Sequence, residues 1–218
     1  MAVKFCELEF ERLKKLLLSY EWAHRTMLTK LSIIHDALKV ERGAANPIGS
    51  IAGRIKAPES IAGKLHKLNF ELTAESARKN LFDIAGIRII CSYARDIYYL
   101  AGLIREMPGI NVTTEKDYVT NPKKSGYRSY HMIIEVGIYH SGNIETLPVE
   151  IQLRTEAMNF WATLEHQVKY KYKDEIPKHL SDELISCADQ IAVLDNRMFV
   201  IQDIVSLING DNEKSTDI

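Results

Sequence analysis

Between Leu147 and Arg154 the chain alternates strictly: Val149, Ile151 and Leu153 are apolar, and Glu150, Gln152 and Arg154 between them are polar. A period of two fits an extended strand, whose successive side chains leave opposite faces. Such a strand commits the fold to a sheet with one face in a core and the other bearing a carboxylate, an amide and a guanidinium in line. Taken alone, that polar face is equally an ordinary solvent-facing surface or one that meets a ligand. The preceding strand candidate, Ser129 to Ile138, carries His131 between Tyr130 and Met132. If the two strands pair with polar faces aligned, His131 joins Glu150 and Gln152 on one surface.

The rest of the pattern surrounds these strands with helices. Phe10, Leu13, Leu17, Tyr20, His24, Met27, Leu31, Ile34 and Leu38 recur at steps of three and four, which predicts one long helix over 1–42, broken at Gly43 to Pro47. His24, the polar member of that stripe, reads as an ordinary helix residue rather than a ligand. A helix begins near Pro58, where a missing N–H costs nothing. Another starts at Thr73 and stops before Gly86, which leaves Asp83 at its C-terminal end, opposed by the helix dipole. Ile87 to Cys91 is a short strand, Asp96 to Met107 a helix, and Ile110 to Tyr118, Ser129 to Ile138 and Glu145 to Arg154 are strands. Thr155 opens a helix with Ala157, Trp161, Leu164 and Val168 on one face. The last helix, 178–209, keeps a 4-3 spacing through Leu180, Leu184, Cys187, Ile191, Leu194, Met198, Ile201, Val205 and Ile208. That stripe serves equally to pack on the N-terminal helix or to seal an interface between subunits. The expectation is a single domain over 1–218 of the α/β (α+β) class, with a mixed central β-sheet, flanking helices, and long N- and C-terminal helices.

Net charge of −1 gives no global field toward DNA, RNA or an anionic membrane, so anion binding must come from local Arg and Lys clusters. No apolar run approaches a membrane span. Cys6, Cys91 and Cys187 are odd in number and far apart, which argues against a disulfide framework or a structural zinc site. With no signal-like N-terminus, the expected compartment is the cytoplasm.

Local clusters do exist. Lys116 to His131 gathers four basic residues, tyrosines and a histidine around an Asn/Pro/Gly turn. Cations for phosphates and an aromatic face for a base suit a phosphorylated nucleotide, although a basic hairpin loop is the plain alternative. Arg54 and Lys56 precede a helix on which Ser60 and Lys64, four apart, share a face. Asp83 and Glu150 suit Mg²⁺, which takes one or two carboxylates while substrate phosphates and water complete its octahedron. Gly49 to Gly53 lacks the lysine-serine ending of a Walker A loop.

Gly53-Arg54-Ile55-Lys56 through Lys64, Asp83-Ile84-Ala85-Gly86-Ile87-Arg88, Lys116 to His131, Val149 to Thr155, and Met158 to His166 stand in an order and at intervals that resemble the synthetase domain of the RelA/SpoT family, and its small single-domain alarmone synthetases in particular. The resemblance covers about 47–172, the expected catalytic core, and implies a sheet of the nucleotidyltransferase type. It implies transfer of the β,γ-pyrophosphate of ATP to the ribose 3′-hydroxyl of GDP or GTP, synthesis only, in the stringent response. Glu150 is then the base and Asp83 the principal Mg²⁺ ligand. Arg54, Lys56, Ser60, Lys64 and Arg88 hold ATP. Lys116, Lys123, Tyr127, His131, Gln152, Asn159 and Glu165 hold the acceptor, with Tyr127 stacked on guanine. The family's habit of assembling through peripheral helices implies a homo-oligomer, expected as a tetramer, with an alarmone or RNA effector left open. His35-Asp36 resembles part of the hydrolase of longer relatives, but its other residues have no place here. Tyr130 stands where the family often has leucine, and Lys123-Lys124-Ser125 replaces a more usual asparagine before the glycine. An alternative keeps the fold but changes the acceptor to adenine nucleotides or the tRNA 3′ end. A non-catalytic module that binds nucleotides or single-stranded RNA is the third reading, with little use for two carboxylates beside an anionic ligand.

Overall fold

The structure is a computed structural model that describes residues 4–172 and 176–215. Helix α1 (Glu7–Arg42) leads into strand β1 (Ile48–Ile55), helices α2 (Pro58–Lys67) and α3 (Ala74–Asn80), strand β2 (Ala85–Cys91) and helix α4 (Ala94–Arg105). Strands β3 (Ile110–Asp117), β4 (Tyr130–His140) and β5 (Asn143–Thr155) follow, then helices α5 (Glu156–Tyr172) and α6 (Lys178–Ser215). The sheet runs β1-β2-β5-β4-β3; β2 and β5 are parallel and the other neighbours antiparallel, so it is mixed, as expected.

Local chemistry explains the boundaries. Gly43 ends α1 at φ 55°, Pro58 occupies the first turn of α2, and Thr73 caps α3 by accepting the Ser76 N–H at 3.1 Å. Thr155 accepts the Met158 N–H at 3.2 Å at the start of α5. Ser141 and Gly142, both with positive φ, make the two-residue turn that pairs His140 with Asn143.

One sheet face carries the core. Ile87 and Ile89 of β2, Ile151 and Leu153 of β5 and Met132 and Ile134 of β4 are buried with Leu13, Tyr20, Met27 and Leu31 of α1 and Ile97, Leu100 and Ile104 of α4. Each such aliphatic side chain contributes about 1.5–3 kcal/mol by leaving water. Gly53 faces this layer, and a Cβ there would collide with the His24 ring. His24 is thus a packing residue, its titration pushed down by burial. The opposite sheet face carries Arg88, Glu150, Gln152 and His131, in agreement with the alternation.

A second, smaller cluster lies on that opposite side: Trp161 and Ala162 of α5 meet Ala188 of α6, with Tyr127, Leu184 and Ile191 against them. Trp161 Nε1 donates to the Leu184 carbonyl at 2.8 Å. Gly126, at φ 87°, lies against this cluster, and a Cβ there would stand 2.7 Å from the Ala188 Cβ.

One expectation needs correction, and two others are made definite. Helix α3 ends at Asn80, so Asp83 lies in the connection to β2 and faces no helix dipole. On α5 the buried side chains among the described residues are Met158, Trp161, Ala162 and Glu165, whereas Leu164 is 41% exposed, because α6 covers a narrower strip than a full apolar face. Helix α6 does not lie along α1. It packs on α5 and near α4, and Leu194, Met198, Ile201, Val205 and Ile208 remain exposed.

Gly53→Ala is expected to lower the unfolding free energy by about 1–3 kcal/mol through overpacking against His24. Adding His24→Ala should recover part of that loss in denaturant titrations; strictly additive effects would show that the two positions do not touch.

Candidate active site

The parallel pairing of β2 with β5 sets Gly86 beside Glu150 and Arg88 beside Gln152, and the antiparallel pairing of β4 with β5 sets His131 beside Gln152. On the far side β1 places Arg54 opposite Gly86. These positions floor a cavity of about 640 Å³, walled by Lys64 of α2, Lys116 of β3, the 118–127 loop and Glu165 and Lys169 of α5. The volume suits a nucleotide-sized ligand.

Two carboxylates line the cavity in different settings. Asp83 Oδ2 accepts from Lys56 Nζ at 2.5 Å and pairs with Lys64 Nζ at 2.7 Å, while Oδ1 is buried without a hydrogen-bond partner. Burial pushes the Asp83 carboxyl up, but the two lysines outweigh it and hold it below its ordinary value. Glu150 is held differently. His131 Nδ1 lies 3.1 Å from Oε1, and Gln152 Nε2 donates to Oε2 at 2.7 Å. Burial again acts upward, the His131 and Gln152 contacts act downward and prevail, and the Asp83 charge opposes them. Both groups are therefore ionised at neutral pH, and the Asp83 charge is felt at Glu150.

Around them is cationic and aromatic surface. Burial, then the charges of Arg154 and Arg54, push the Arg88 guanidinium down. Arg88 Nη1 reaches Asn159 Oδ1 at 3.4 Å and its buried Nε has no partner. Among the described residues, none of Arg54, Arg88 and Arg154 forms an ion pair with a carboxylate, so an incoming anion meets unneutralised charge. Tyr118, Tyr127 and His131 meet edge to face, with Lys123 Nζ 4.7 and 4.8 Å above the two tyrosine rings.

Of the residues singled out from sequence, Glu150, Asp83, Arg54, Lys64, Arg88, Lys116, Lys123, Tyr127, His131, Gln152 and Glu165 line this one cavity. Lys56 reaches it through Asp83. Ser60 and Asn159 are not in its wall: Ser60 is exposed on α2, and Asn159 stands behind Arg88. Wall or support residues not singled out for a role include Thr114, Tyr118, Ser125, Lys169 and Arg154. Lys169 pairs with Glu165 one helical turn away, a spacing visible in the sequence. Arg154 shares the polar face of β5 with Glu150 and could have been included on that ground.

Two carboxylates and unneutralised arginines around one cavity on a mixed sheet suit a polyphosphate ligand. A sequence model of the region found in RelA/SpoT proteins matches residues 53–175. The chain belongs to the RelA/SpoT family, among its small alarmone synthetases. It is 40% identical over 189 residues to GTP pyrophosphokinase YwaC of Bacillus subtilis, covering 87% of this chain and 90% of that protein. It is 32% identical to GTP pyrophosphokinase YjbM of the same organism, covering 87% and 88%. In structure it is similar to the B. subtilis small alarmone synthetase 1 bound to its product pppGpp, with TM-score 0.83, 32% identity and 89% and 98% coverage. Small alarmone synthetase 2 of B. subtilis gives TM-score 0.78 at 38% identity, with 87% and 97% coverage.

Because the folded Asp83 titrates below its ordinary 3.8, it stabilises the fold above about pH 4, and that contribution is lost as pH falls through the folded value. Asp83→Asn should therefore flatten the acid limb of stability against pH. Equal acid slopes in the two chains would show that the Lys56–Asp83–Lys64 contact adds nothing.

Proposed function

We infer that this chain is a GTP pyrophosphokinase: it transfers the β,γ-pyrophosphate of ATP to the ribose 3′-hydroxyl of GDP or GTP, making ppGpp or pppGpp. The observation that carries this reading is a single cavity with Glu150 between a cationic flank (Arg54, Lys64, Arg88) and an aromatic, basic flank (Tyr127, His131, Lys116, Lys123). Two nucleotides need two such flanks, and the reacting atoms must meet between them.

In this reading Arg54, Lys56, Ser60, Lys64 and Arg88 hold ATP. Lys56 and Lys64 turn from Asp83 to the phosphates as the nucleotide enters. The acceptor base stacks on Tyr127 in place of the Lys123 ammonium, and Lys116 and Lys123 take its phosphates. Gln152, His131, Asn159 and Glu165 orient the acceptor. Glu150 takes the 3′-hydroxyl proton as the oxygen attacks the β-phosphorus. The new bond is 3′-O to Pβ; the bond between Pβ and the α,β-bridging oxygen breaks, and AMP leaves with the electron pair.

The site fits Mg²⁺. Asp83 Oδ1 has no hydrogen-bond partner, Glu150 is ionised, and a pair of carboxylates is what this ion takes when phosphates complete its shell. Asp83 and Glu150 would hold it, and when bound it supplies charge neutralisation on the phosphate oxygens.

The chain is further proposed to work as a homotetramer in the cytoplasm, in the stringent response. The exposed 4-3 stripe of α6 supports assembly, and three cysteines free of disulfides suit a reducing compartment. Met198→Glu with Ile201→Glu should reduce the mass in sedimentation; an unchanged mass would place the contact elsewhere.

Thin-layer separation of products from γ-labelled ATP, with Mg²⁺ and GDP, GTP, GMP, ATP or tRNA as acceptor, tests the reaction. Label is expected in a guanosine 3′-diphosphate. Asp83→Ala and Glu150→Ala should lower the rate by at least about a hundredfold with the fold intact. Label on ATP or tRNA alone, or full activity in both variants, would overturn the assignment.

A further inference from the structure

Arg154 has no part in the scheme above, yet it is 5% exposed and, among the described residues, carries a charge with no carboxylate opposite it. A buried guanidinium is retained at a cost unless its donors are all used. Its donors go to neutral oxygens: Nη2 donates to Tyr127 Oη at 2.6 Å and to Gln152 Oε1 at 2.7 Å, and Nε lies 3.4 Å from Ser129 Oγ. The guanidinium carbon also stands 5.0 Å from the centre of the Tyr127 ring.

These bonds close a ring. Tyr127 Oη is 2.8 Å from His131 Nε2, His131 Nδ1 is 3.1 Å from Glu150 Oε1, and Gln152, which accepts from Arg154, donates to Glu150 Oε2. The directions follow from the ends. Arg154 has donors only, so the Tyr127 oxygen accepts. The Glu150 carboxylate accepts only, so Nδ1 of His131 carries a proton. The phenolic O–H is then free to donate to Nε2, which must be bare to receive it. The opposite neutral tautomer would set a ring lone pair against the carboxylate and leave the phenol proton with no acceptor among the described residues.

We propose that Arg154 is a positioning residue: by occupying the Tyr127 oxygen it sets the proton of His131 on Nδ1 and, with Gln152, aims both oxygens of Glu150. This rests on the pyrophosphokinase reading for its consequence, but its geometry stands apart from it. Arg154 touches neither nucleotide and links the ring that stacks the acceptor base to the carboxylate that takes the acceptor's proton.

The test uses the full chain with ¹⁵N-labelled histidine, the His131 signals assigned by loss in His131→Asn, at about pH 8, above histidine's ordinary titration range. In wild type, Nδ1 is expected to be pyrrole-like and Nε2 pyridine-like. Arg154→Met and Tyr127→Phe should each replace this with a mixture of tautomers. Arg154→Met should lower kcat about tenfold or more while KM for ATP is unchanged, and Arg154→Lys should restore part of both. A protonated Nε2 in wild type would overturn the proposal. So would a fall in kcat with the His131 signals unchanged, or an unchanged kcat in folded Arg154→Met. If Arg154→Met does not fold, the wild-type spectrum and Tyr127→Phe decide. Failure of wild type to transfer pyrophosphate would overturn the functional reading instead, leaving the His131 signals to judge the ring.

Discussion

The parallel pairing of β2 with β5, inside an otherwise antiparallel sheet, is the constraint on which the molecule depends. Parallel neighbours cannot be joined by a tight turn, so the chain must leave β2, run through α4, β3 and β4, and return. That excursion brings the loop after β3 over the same sheet face as Glu150. The register then sets Gly86 beside Glu150, where the absent side chain leaves room. Asp83, three residues before Gly86, arrives at the rim of the same cavity. One strand pairing thus gathers groups from distant parts of the chain.

The two carboxylates illustrate how surroundings divide labour between like groups. Asp83 is held by two ammonium groups, Lys56 largely buried and Lys64 more exposed, and keeps its second oxygen without a hydrogen-bond partner. Glu150 is held by His131 and an amide within a closed ring, so its oxygens keep their aim. Desolvation acts against the charge of both, and in each case hydrogen bonds prevail. A cavity that keeps two carboxylates charged beside unpaired arginines is arranged for a ligand that is itself highly charged.

The loop from Tyr118 to Tyr127 depends on a second, smaller core. Gly126 packs on α6, Tyr127 joins Trp161 and Ala188, and Arg128 pairs with Asp189 at 3.1 Å. The helix whose later turns are exposed therefore also braces the Tyr127 ring at the cavity wall. The 4-3 stripe read from the sequence is divided along its length: Leu184 and Ile191 pack into this cluster, whereas Leu194, Met198, Ile201, Val205 and Ile208 stay exposed.

Much of the sheet was legible in the sequence because a period of two leaves a direct trace: alternation along 147–154 and around His131 foretold which side chains share a surface. The helix starts at Pro58 and Thr73 were legible through their capping chemistry. The position of Asp83 was not, because helix α3 stops at Asn80 without a breaker to mark it. The buried strip of α5 was not legible because which strip of a helix is covered depends on its neighbour. Sequence by itself determined the chemical inventory and the faces of the strands, since both are local properties of side-chain type and backbone period. Only the tertiary structure decided that Lys56 and Lys64 clasp Asp83, that Arg154 closes a ring through Tyr127 and His131 to Glu150, and that α6 packs on α5 rather than α1. Those contacts join residues far apart along the chain, and their choice follows from strand register and packing, which no local pattern encodes.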